Sequence, residues 1–343
     1  MATVCLALAI AGLTAYAVLG VADLGAGLWD LTAGGGSKGG ALRGLIERSM
    51  TPVWEANHVW LPFLLVILWT AFPPFFGSVM STLYVPLFGA TVGIILRGTA
   101  FVLRPHAPSL AQARALGAAF ALSSVLVPFC FGAAAGGIAS GRVPAGNATG
   151  DPWSSWLNPT SAVIGALAVI AGAYLSAVFL AGDAQRTGQP ELVDGARRRA
   201  LGAGVVAGAG ALGGLVVVRG DARSLFDGLT SGLGLALVIG SAVLGAVTLG
   251  LVWARRTTLA RFSAAGAVTC VIVGWAAAQS PYLLPRVMTL QQGAASPATL
   301  DALVVAVAAG SVLLVPSLVL LYRLVLRGRL DKPFEPMDAR WRS

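Results

Sequence analysis

Long apolar stretches, separated by short polar connections, make up most of this chain. Nine of them approach the roughly 20 apolar residues that an α-helix needs to cross a bilayer. They predict membrane-spanning helices over residues 4–29, 56–77, 78–101, 115–139, 160–182, 200–218, 228–253, 262–279 and 299–326. The second and third are divided only by Phe72-Pro73-Pro74, and the eighth is short. The pattern predicts an all-α integral membrane protein in which residues 1–343 form a single transmembrane helical domain.

The amino-acid composition agrees with this pattern. Of the 343 residues, 57% are hydrophobic and only 11% are charged, whereas a soluble domain has about 25% charged residues. So few charges leave no room for a sizeable soluble domain. No Lys or Arg precedes the first apolar run, so we expect that run to remain a membrane helix rather than to be removed as a signal peptide.

The basic residues are distributed unevenly over the two sides that nine spans create. Of the 23 Lys and Arg residues, all fall on the side of the C-terminus except Arg142, Arg219, Arg223, Arg286 and the intramembrane Arg97. The positive-inside rule therefore predicts an N-terminus outside the cell and a C-terminus in the cytoplasm. The net charge of +9 is explained by this topology and by attraction to anionic lipid headgroups, and it does not indicate a nucleic-acid partner.

The connection between the first two spans has two parts. It begins with a glycine-rich tether over residues 34–40, a composition that is typical of a flexible linker. Apolar residues then recur at helical spacing: Leu42, Leu45, Ile46 and Met50. Charged residues lie between them, so the pattern predicts a short amphipathic helix on the inner membrane surface.

The segment from Met50 to Trp60 leads from this connection into the second span. Thr51 is suited to cap that helix, and Pro52 is suited to its first turn, where an amide hydrogen has no partner. Three polar residues then fall within the first two turns: Glu55, Asn57 and His58. Ionisable groups at the edge of a membrane span are costly, so they are candidates for a functional site.

The predicted topology brings four ionisable residues to one depth. Asp23 near the end of the first span, Glu55 and His58 at the start of the second, and Arg97 near the end of the third all lie toward the cytoplasm, with Asp30 at the surface. One interpretation is an ion cluster in which Arg97 neutralises Glu55 or Asp23. The other is a cytoplasmic entrance for protons or ions with a carboxylate as acceptor. His58 fits either a titrating role or a surface hydrogen bond.

The chain offers few ligands for a redox metal. It has two histidines, His58 and His106, and three isolated cysteines, Cys5, Cys130 and Cys270. None of these has the spacing of a metal or haem site, and the cysteines fit small buried apolar positions. We therefore expect no cofactor or metal to be bound by this chain. If the protein takes part in electron transfer, another chain holds the cofactors.

Several segments resemble subunit II of cytochrome bd-type quinol oxidases. Trp54-Glu55-Ala56-Asn57-His58-Val59-Trp60 is similar to that family's Trp-Asp-Gly-Asn-x-Val-Trp motif, and Asp23-Leu24-Gly25-Ala26-Gly27 is similar to its Asp-x-Gly-Val-Gly. Further similar segments are Ala71-Phe72-Pro73, Arg97-Gly98-Thr99-Ala100-Phe101 and Pro281-Tyr282-Leu283-Leu284-Pro285. The specific motifs lie mainly within residues 20–104, and helix number and spacing extend the resemblance over nearly the whole chain.

The resemblance implies a nine-helix subunit of a bacterial plasma-membrane oxidase. It implies a heterodimer with a homologously folded subunit I, which carries three haems and the quinol-oxidising site, with room for small accessory subunits. Some members hold structural quinone or lipid. The family also implies a proton path from the cytoplasm, in which Glu55 takes the motif aspartate's place. Asp23 and His58 would lie on that path, Arg97 would set its electrostatics, and the motif residues Trp54, Asn57 and Trp60 would pack the helix end.

Two departures from the family pattern leave the state of that path open. Many members have an acid at the position of Gly20 and another at the position of Val102. One hypothesis is therefore a subunit that admits protons for oxygen reduction, and another is a purely structural scaffold with a degenerate path. An ion-coupled transporter is a third hypothesis. It is disfavoured because transporter sites usually lie near mid-membrane between internal repeats, whereas these charges share one face and no repeat is evident.

Overall fold

The computed structural model describes residues 1–186, 188–327 and 329. Its helices are α1 (Ala2–Ala15), α2 (Val21–Leu31), α3 (Gly36–Met50), α4 (Trp54–His58), α5 (Trp60–Ala71), α6 (Pro73–Thr82), α7 (Tyr84–Leu103), α8 (Leu110–Ala139), α9 (Pro159–Arg186), α10 (Pro190–Asp221), α11 (Arg223–Leu229), α12 (Gly232–Trp253), α13 (Thr257–Gln279), α14 (Leu290–Gly293) and α15 (Pro297–Leu326). A π-helical turn (Tyr16–Gly20) joins α1 to α2, and a 3-10 turn (Arg104–His106) follows α7. The antiparallel strands β1 (Tyr282–Leu284) and β2 (Met288–Thr289) precede α14.

The predicted all-helical, multi-span architecture is confirmed. Within the described residues, eight helices are long and apolar enough to cross a membrane. The pair Gly36–Met50 and Trp54–Ala71, bent by 66°, raises this number to nine if it counts as one span. The side of the membrane on which each terminus lies stays a prediction. The C-terminal end of the predicted domain, residues 330–343, lies outside the described residues, and so do its basic residues Lys332, Arg340 and Arg342.

The boundary between the second and third spans differs from the prediction. The apolar pattern placed it at residues 77 and 78, but α5 ends at Ala71 and α7 begins at Tyr84, with the separate helix α6 between them. Phe72 leaves the helical region, with φ −135° and ψ 60°, because the residue before a proline is disfavoured in α conformation. Proline therefore ends the second span earlier than hydropathy alone indicates.

The predicted cap at Thr51 is wrong. Thr51 lies at the end of α3, where its hydroxyl donates a hydrogen bond of 2.7 Å to the carbonyl of Glu47. The next helix begins only at Trp54, and its N-cap, Val53, makes no side-chain capping bond. Thr51 follows α3 without a break in helical backbone angles, so its hydroxyl bonds backward to residue i−4 rather than forward to a new helix.

The predicted short helix in the first connection is confirmed as α3, but it begins at Gly36, so most of the predicted flexible tether over residues 34–40 is helical. Its apolar face is covered by protein, because its apolar residues belong to a buried cluster with residues of α2, α7, α8, α9 and α10: Leu42, Leu45, Ile46 and Met50. The helix therefore closes one end of the bundle, and its apolar face packs on other helices instead of facing lipid.

The helix α9 occupies the middle of the bundle and packs against α2, α8, α10 and α13. By contrast, α15 is the least covered span. None of the residues in its most apolar window is buried within the chain, and it packs mainly on α1 and α5. An apolar helix that its own chain leaves uncovered faces either lipid or a partner subunit.

Asp221 fastens several elements together at the end of the bundle opposite α3. Both of its carboxylate oxygens accept hydrogen bonds from Arg142, at 2.6 and 3.0 Å. The backbone and hydroxyl of Thr160 also donate to Asp221, at 3.1 and 2.6 Å. The carboxylate thus joins the end of α10 to the start of α9 and to the loop that follows α8.

We expect Asp221→Ala to destabilise the protein by about 1–3 kcal/mol, because it leaves a partly buried guanidinium and the Thr160 groups without their acceptor. A lower midpoint of thermal unfolding in detergent would measure this loss. The control is Asp227→Ala, which removes an ion pair whose side chains are 61% and 69% exposed and which should leave the midpoint unchanged. Equal midpoints for the two variants would contradict the bracing role of Asp221.

Candidate functional site

Two glycines position Asp23 by letting α2 approach its neighbours closely. A Cβ atom on Gly25 would overlap the backbone of Gly172 in α9, and one on Gly27 would overlap the side chain of Ser124 in α8. Small residues allow helix backbones to approach in this way. The end of α2 is therefore held between α8 and α9, and Asp23 is only 9% exposed.

The carboxylate of Asp23 begins a chain of side-chain hydrogen bonds. The Asn57 amide nitrogen donates to Asp23 Oδ2 at 2.7 Å, and the Tyr322 hydroxyl donates to Asn57 Oδ1 at 2.5 Å. These residues come from α2, α4 and α15, which are far apart in sequence. Asn57 is 4% exposed, so a buried amide links a buried carboxylate to the last span.

Arg97 approaches the same residue from α7. One guanidinium nitrogen donates to the backbone carbonyl of Asp23 and another to the hydroxyl of Ser124. The ring of Phe120 covers the guanidinium, with 4.3 Å between Cζ and the ring centroid. Among the described residues, Arg97 thus contacts the main chain of Asp23 and not its carboxylate. A buried cation is costly unless polar groups satisfy it, and here neutral oxygens do so.

The structure does not bring Glu55 into this cluster. Glu55 is exposed, whereas Asn57 on the same short helix is buried. Residues two apart on a helix do not share a face. Since Asn57 turns toward Asp23, Glu55 turns toward the outside of the chain. The sequence predicted that Asp23 and Glu55 lie at one depth, but in the structure their side chains point in different directions.

His58 and the two motif tryptophans make aromatic contacts. The His58 ring meets the Tyr16 ring edge-on, with 5.7 Å between centroids. Trp54 packs against Phe101 at 5.4 Å, and Trp60 against Phe63 at 5.8 Å. The His58 and Trp54 contacts hold the start of the second span against the π-helical turn and α7, whereas the Trp60 contact lies within α5.

The predicted surface position of Asp30 is wrong. Asp30 is 4% exposed and lies 2.9 Å from Arg104 and 3.4 Å from Arg43. It is buried because α3 and the turn after α7 fold over the end of α2. The sequence contained a signal for the pairing of Asp30 with Arg104. Asp23 and Asp30 are seven residues apart on α2, and Arg97 and Arg104 are seven residues apart on α7 and the turn that follows it. That spacing is two helical turns and places each pair on one face.

A shallow crevice lies beside this outer ion pair. Asp30, Glu47, Arg104 and Phe120 are among the residues that line it. Phe120 also covers Arg97, so the crevice ends one aromatic ring away from the buried cluster. The described residues include no group of three or more His, Cys, Asp or Glu side chains arranged to hold a metal ion.

Two comparisons with known proteins bear on this arrangement. The family model described as cytochrome bd terminal oxidase subunit II matches residues 1–325. The chain is also similar to a structure described as bd oxidase from Geobacillus thermodenitrificans, with a TM-score of 0.74 and 24% identity over 95% of this chain and 98% of that one. An identity this low shows a shared fold only. No curated protein is significantly similar in sequence. The family that the sequence motifs suggested is confirmed.

The glycine contacts predict that Gly25→Ala destabilises the bundle, because the new methyl group would push α2 away from the backbone of Gly172. We expect less folded protein after extraction in mild detergent, measured by size-exclusion chromatography. Gly208→Ala on α10 is the control, since a Cβ there meets no atom within 4 Å. Normal recovery of both variants would contradict a close-packed contact at Gly25.

Proposed function

The chain belongs to the cytochrome bd terminal oxidase subunit II family, and we propose that it supports a haem-bearing subunit I and admits cytoplasmic protons for oxygen reduction. Family membership makes it a multi-pass membrane protein of a bacterial plasma-membrane oxidoreductase complex. The proposal adds a division of labour. The partner carries the haems and oxidises quinol, and this subunit delivers protons.

The single observation that carries the proposal is the buried carboxylate of Asp23. Its partners are an amide and, through that amide, a hydroxyl. Ionisable groups at membrane depth are expensive and usually serve a function. The Asp23 carboxylate has no guanidinium bonded to it among the described residues, so it is better suited to take up and release a proton than a carboxylate fixed in an ion pair would be.

The chemistry of the complex requires such a group. Reduction of oxygen to water consumes one proton for each electron. If those protons come from the cytoplasm while quinol releases its own outside, charge is separated across the membrane without a pump. The predicted orientation, with the N-terminus outside, places Asp23 at the cytoplasmic end of its span.

The proposed path runs from the protein surface to Asp23. Glu55 is exposed and lies two residues from Asn57, so it serves as the first acceptor. Asn57 holds the carboxylate of Asp23 in place, and Arg97 fixes the main chain behind it. The positive charge of Arg97 favours the ionised form of a nearby carboxylate and so sets the electrostatics of the path.

The uncovered helix α15 is an argument for the partner subunit in this proposal. It is apolar, largely exposed in the single chain, and tied to the site where the Tyr322 hydroxyl donates a hydrogen bond to Asn57. A partner packed on α15 would therefore be linked to Asp23 through two hydrogen bonds. Structural quinone, lipid or small accessory subunits would cover the remaining apolar faces.

A scaffold subunit with a degenerate path is the second candidate function. The outward direction of Glu55 and the glycine at position 20 favour it, because neither places a second acid beside Asp23. The two functions differ only in whether removal of the Asp23 carboxylate slows the assembled enzyme.

We expect Asp23→Asn to lower oxygen consumption by at least tenfold in the assembled complex, because proton transfer by a positioned group contributes about 10²–10⁴-fold to a reaction rate. Glu55→Gln should lower it less, since water can replace an exposed acceptor. Quinol-dependent oxygen uptake, normalised to haem content, measures both effects. Glu191→Gln is the matched control, because Glu191 is another exposed glutamate, in the first turn of α10.

Full activity of Asp23→Asn with haem retained would reject the proton path and leave the scaffold. Loss of haem in that variant would assign Asp23 to assembly. Unchanged turnover in Glu55→Gln alone would remove only that residue from the path.

The division of labour predicts a clear spectroscopic result. The chain purified alone in mild detergent should have no haem absorption, whereas a preparation that retains its partner should show haem bands. An absorption spectrum of each preparation, with the subunits resolved by electrophoresis, is the measurement. Haem bands in a preparation of this chain alone would contradict the proposal, and a colourless homo-oligomer in native membranes would favour a transporter.

A further inference from the structure

A group of polar atoms without partners lies where α1, with the π-helical turn that follows it, packs against α5 and the end of α4. The two helices are antiparallel, since Gly12 contacts Phe63 while Tyr16 contacts His58. Within the described residues, four buried polar atoms on these segments have no hydrogen-bond partner: Thr14 Oγ1, Tyr16 Oη, His58 Nδ1 and Trp60 Nε1. Tyr16 is only 3% exposed, so its hydroxyl is fully enclosed.

The position of Tyr16 connects these atoms to the site already described. A Cβ on Gly20 would lie 2.6 Å from the Tyr16 ring and 3.4 Å from the carbonyl oxygen of Asn57. The Tyr16 ring is thus held between Gly20 and His58. Asn57 is next to His58 in the chain and is the residue that binds Asp23, so the unpartnered atoms and the Asp23 cluster are contiguous.

The local backbone is also unusual at this point. The π-helical turn begins at Tyr16 and ends at Gly20, and single π-helical turns occur frequently at functional sites. Tyr16 precedes Asp23 by seven residues, which is about 10 Å along a helix. The unpartnered hydroxyls of Thr14 and Tyr16 therefore lie deeper in the first span than Asp23 does.

We infer that Tyr16 and His58 form a relay pair that, with bound water, extends the Asp23–Asn57 hydrogen bond toward the middle of the membrane. Buried polar groups almost always have partners, and water supplies them where protein does not. In each transfer, Tyr16 or His58 accepts a proton from the neighbour on one side and releases a proton to the neighbour on the other. One proton thus passes along the relay, and each side chain ends with the same number of protons as before. This inference rests on the proposed proton path through Asp23.

Packing alone does not account for the hydroxyl of Tyr16. Phenylalanine would make the same edge-on contact with His58 and would fill the same space over Gly20. The hydroxyl adds only a polar atom, which is costly to bury without a partner. Removal of the Tyr16 hydroxyl oxygen therefore distinguishes a role in proton transfer from a role in packing.

The test uses the complete oxidase complex with the variants Tyr16→Phe and His58→Gln. Tyr174→Phe is the matched control, because Tyr174 is also a buried tyrosine (5% exposed) but its ring faces Gly204 on α10. Oxygen consumption per haem and its solvent deuterium isotope effect are measured for each variant, together with Asp23→Asn.

We expect Tyr16→Phe to lower turnover by about tenfold, because removing one positioned proton-transfer group slows the step that it serves. His58→Gln should act in the same direction. In both variants the solvent isotope effect should rise as proton delivery becomes rate-limiting, with haem content unchanged, whereas Tyr174→Phe should match the parent enzyme.

Normal turnover and isotope effect in Tyr16→Phe, alongside a slow Asp23→Asn, would overturn the relay pair and leave the proposed path standing. Normal turnover in all of these variants would overturn both. If Tyr16→Phe loses haem, the His58→Gln variant tests the relay pair instead. A normal isotope effect in that variant would also overturn the relay pair.

Discussion

The hydrogen bond between the Asn57 amide and the Asp23 carboxylate is the interaction on which the site depends. It joins α2 to α4, and through Tyr322 it reaches the last span. A carboxylate buried in a helical bundle needs hydrogen-bond partners, since each unmet polar group costs free energy. The requirement to satisfy Asp23 therefore constrains where the start of the second span and the end of α15 lie.

Close packing makes this hydrogen bond possible. Gly25 and Gly27 let α2 approach α9 and α8 so closely that no larger side chain fits without a shift. The same approach brings the main chain of Asp23 within reach of Arg97. The guanidinium is consequently satisfied by a backbone carbonyl and a serine hydroxyl, and the carboxylate remains available to groups on the other side.

The site accordingly has two parts with different characters. The outer part, where Asp30 pairs with Arg104 and Arg43, consists of opposite charges that neutralise each other. The inner part, around Asp23, consists of neutral donors, with Arg97 held to one side. Paired charges neutralise each other and hold neighbouring elements together, whereas a carboxylate among neutral donors is suited to exchange a proton. This difference is why the proposed function depends on Asp23 rather than on Asp30.

The sequence by itself determined the helical membrane architecture, the family and several polar residues of the site, among them Asp23, Asn57 and Arg97. Hydropathy and charge asymmetry report on each helix separately, so they required no knowledge of packing. Only the tertiary structure decided which of these residues meet. It turned Asn57 inward and Glu55 outward, buried Asp30, and brought Tyr322 from the far end of the chain to the site. Those outcomes depend on the rotation of each helix about its axis and on contacts across hundreds of residues, which local sequence patterns do not encode.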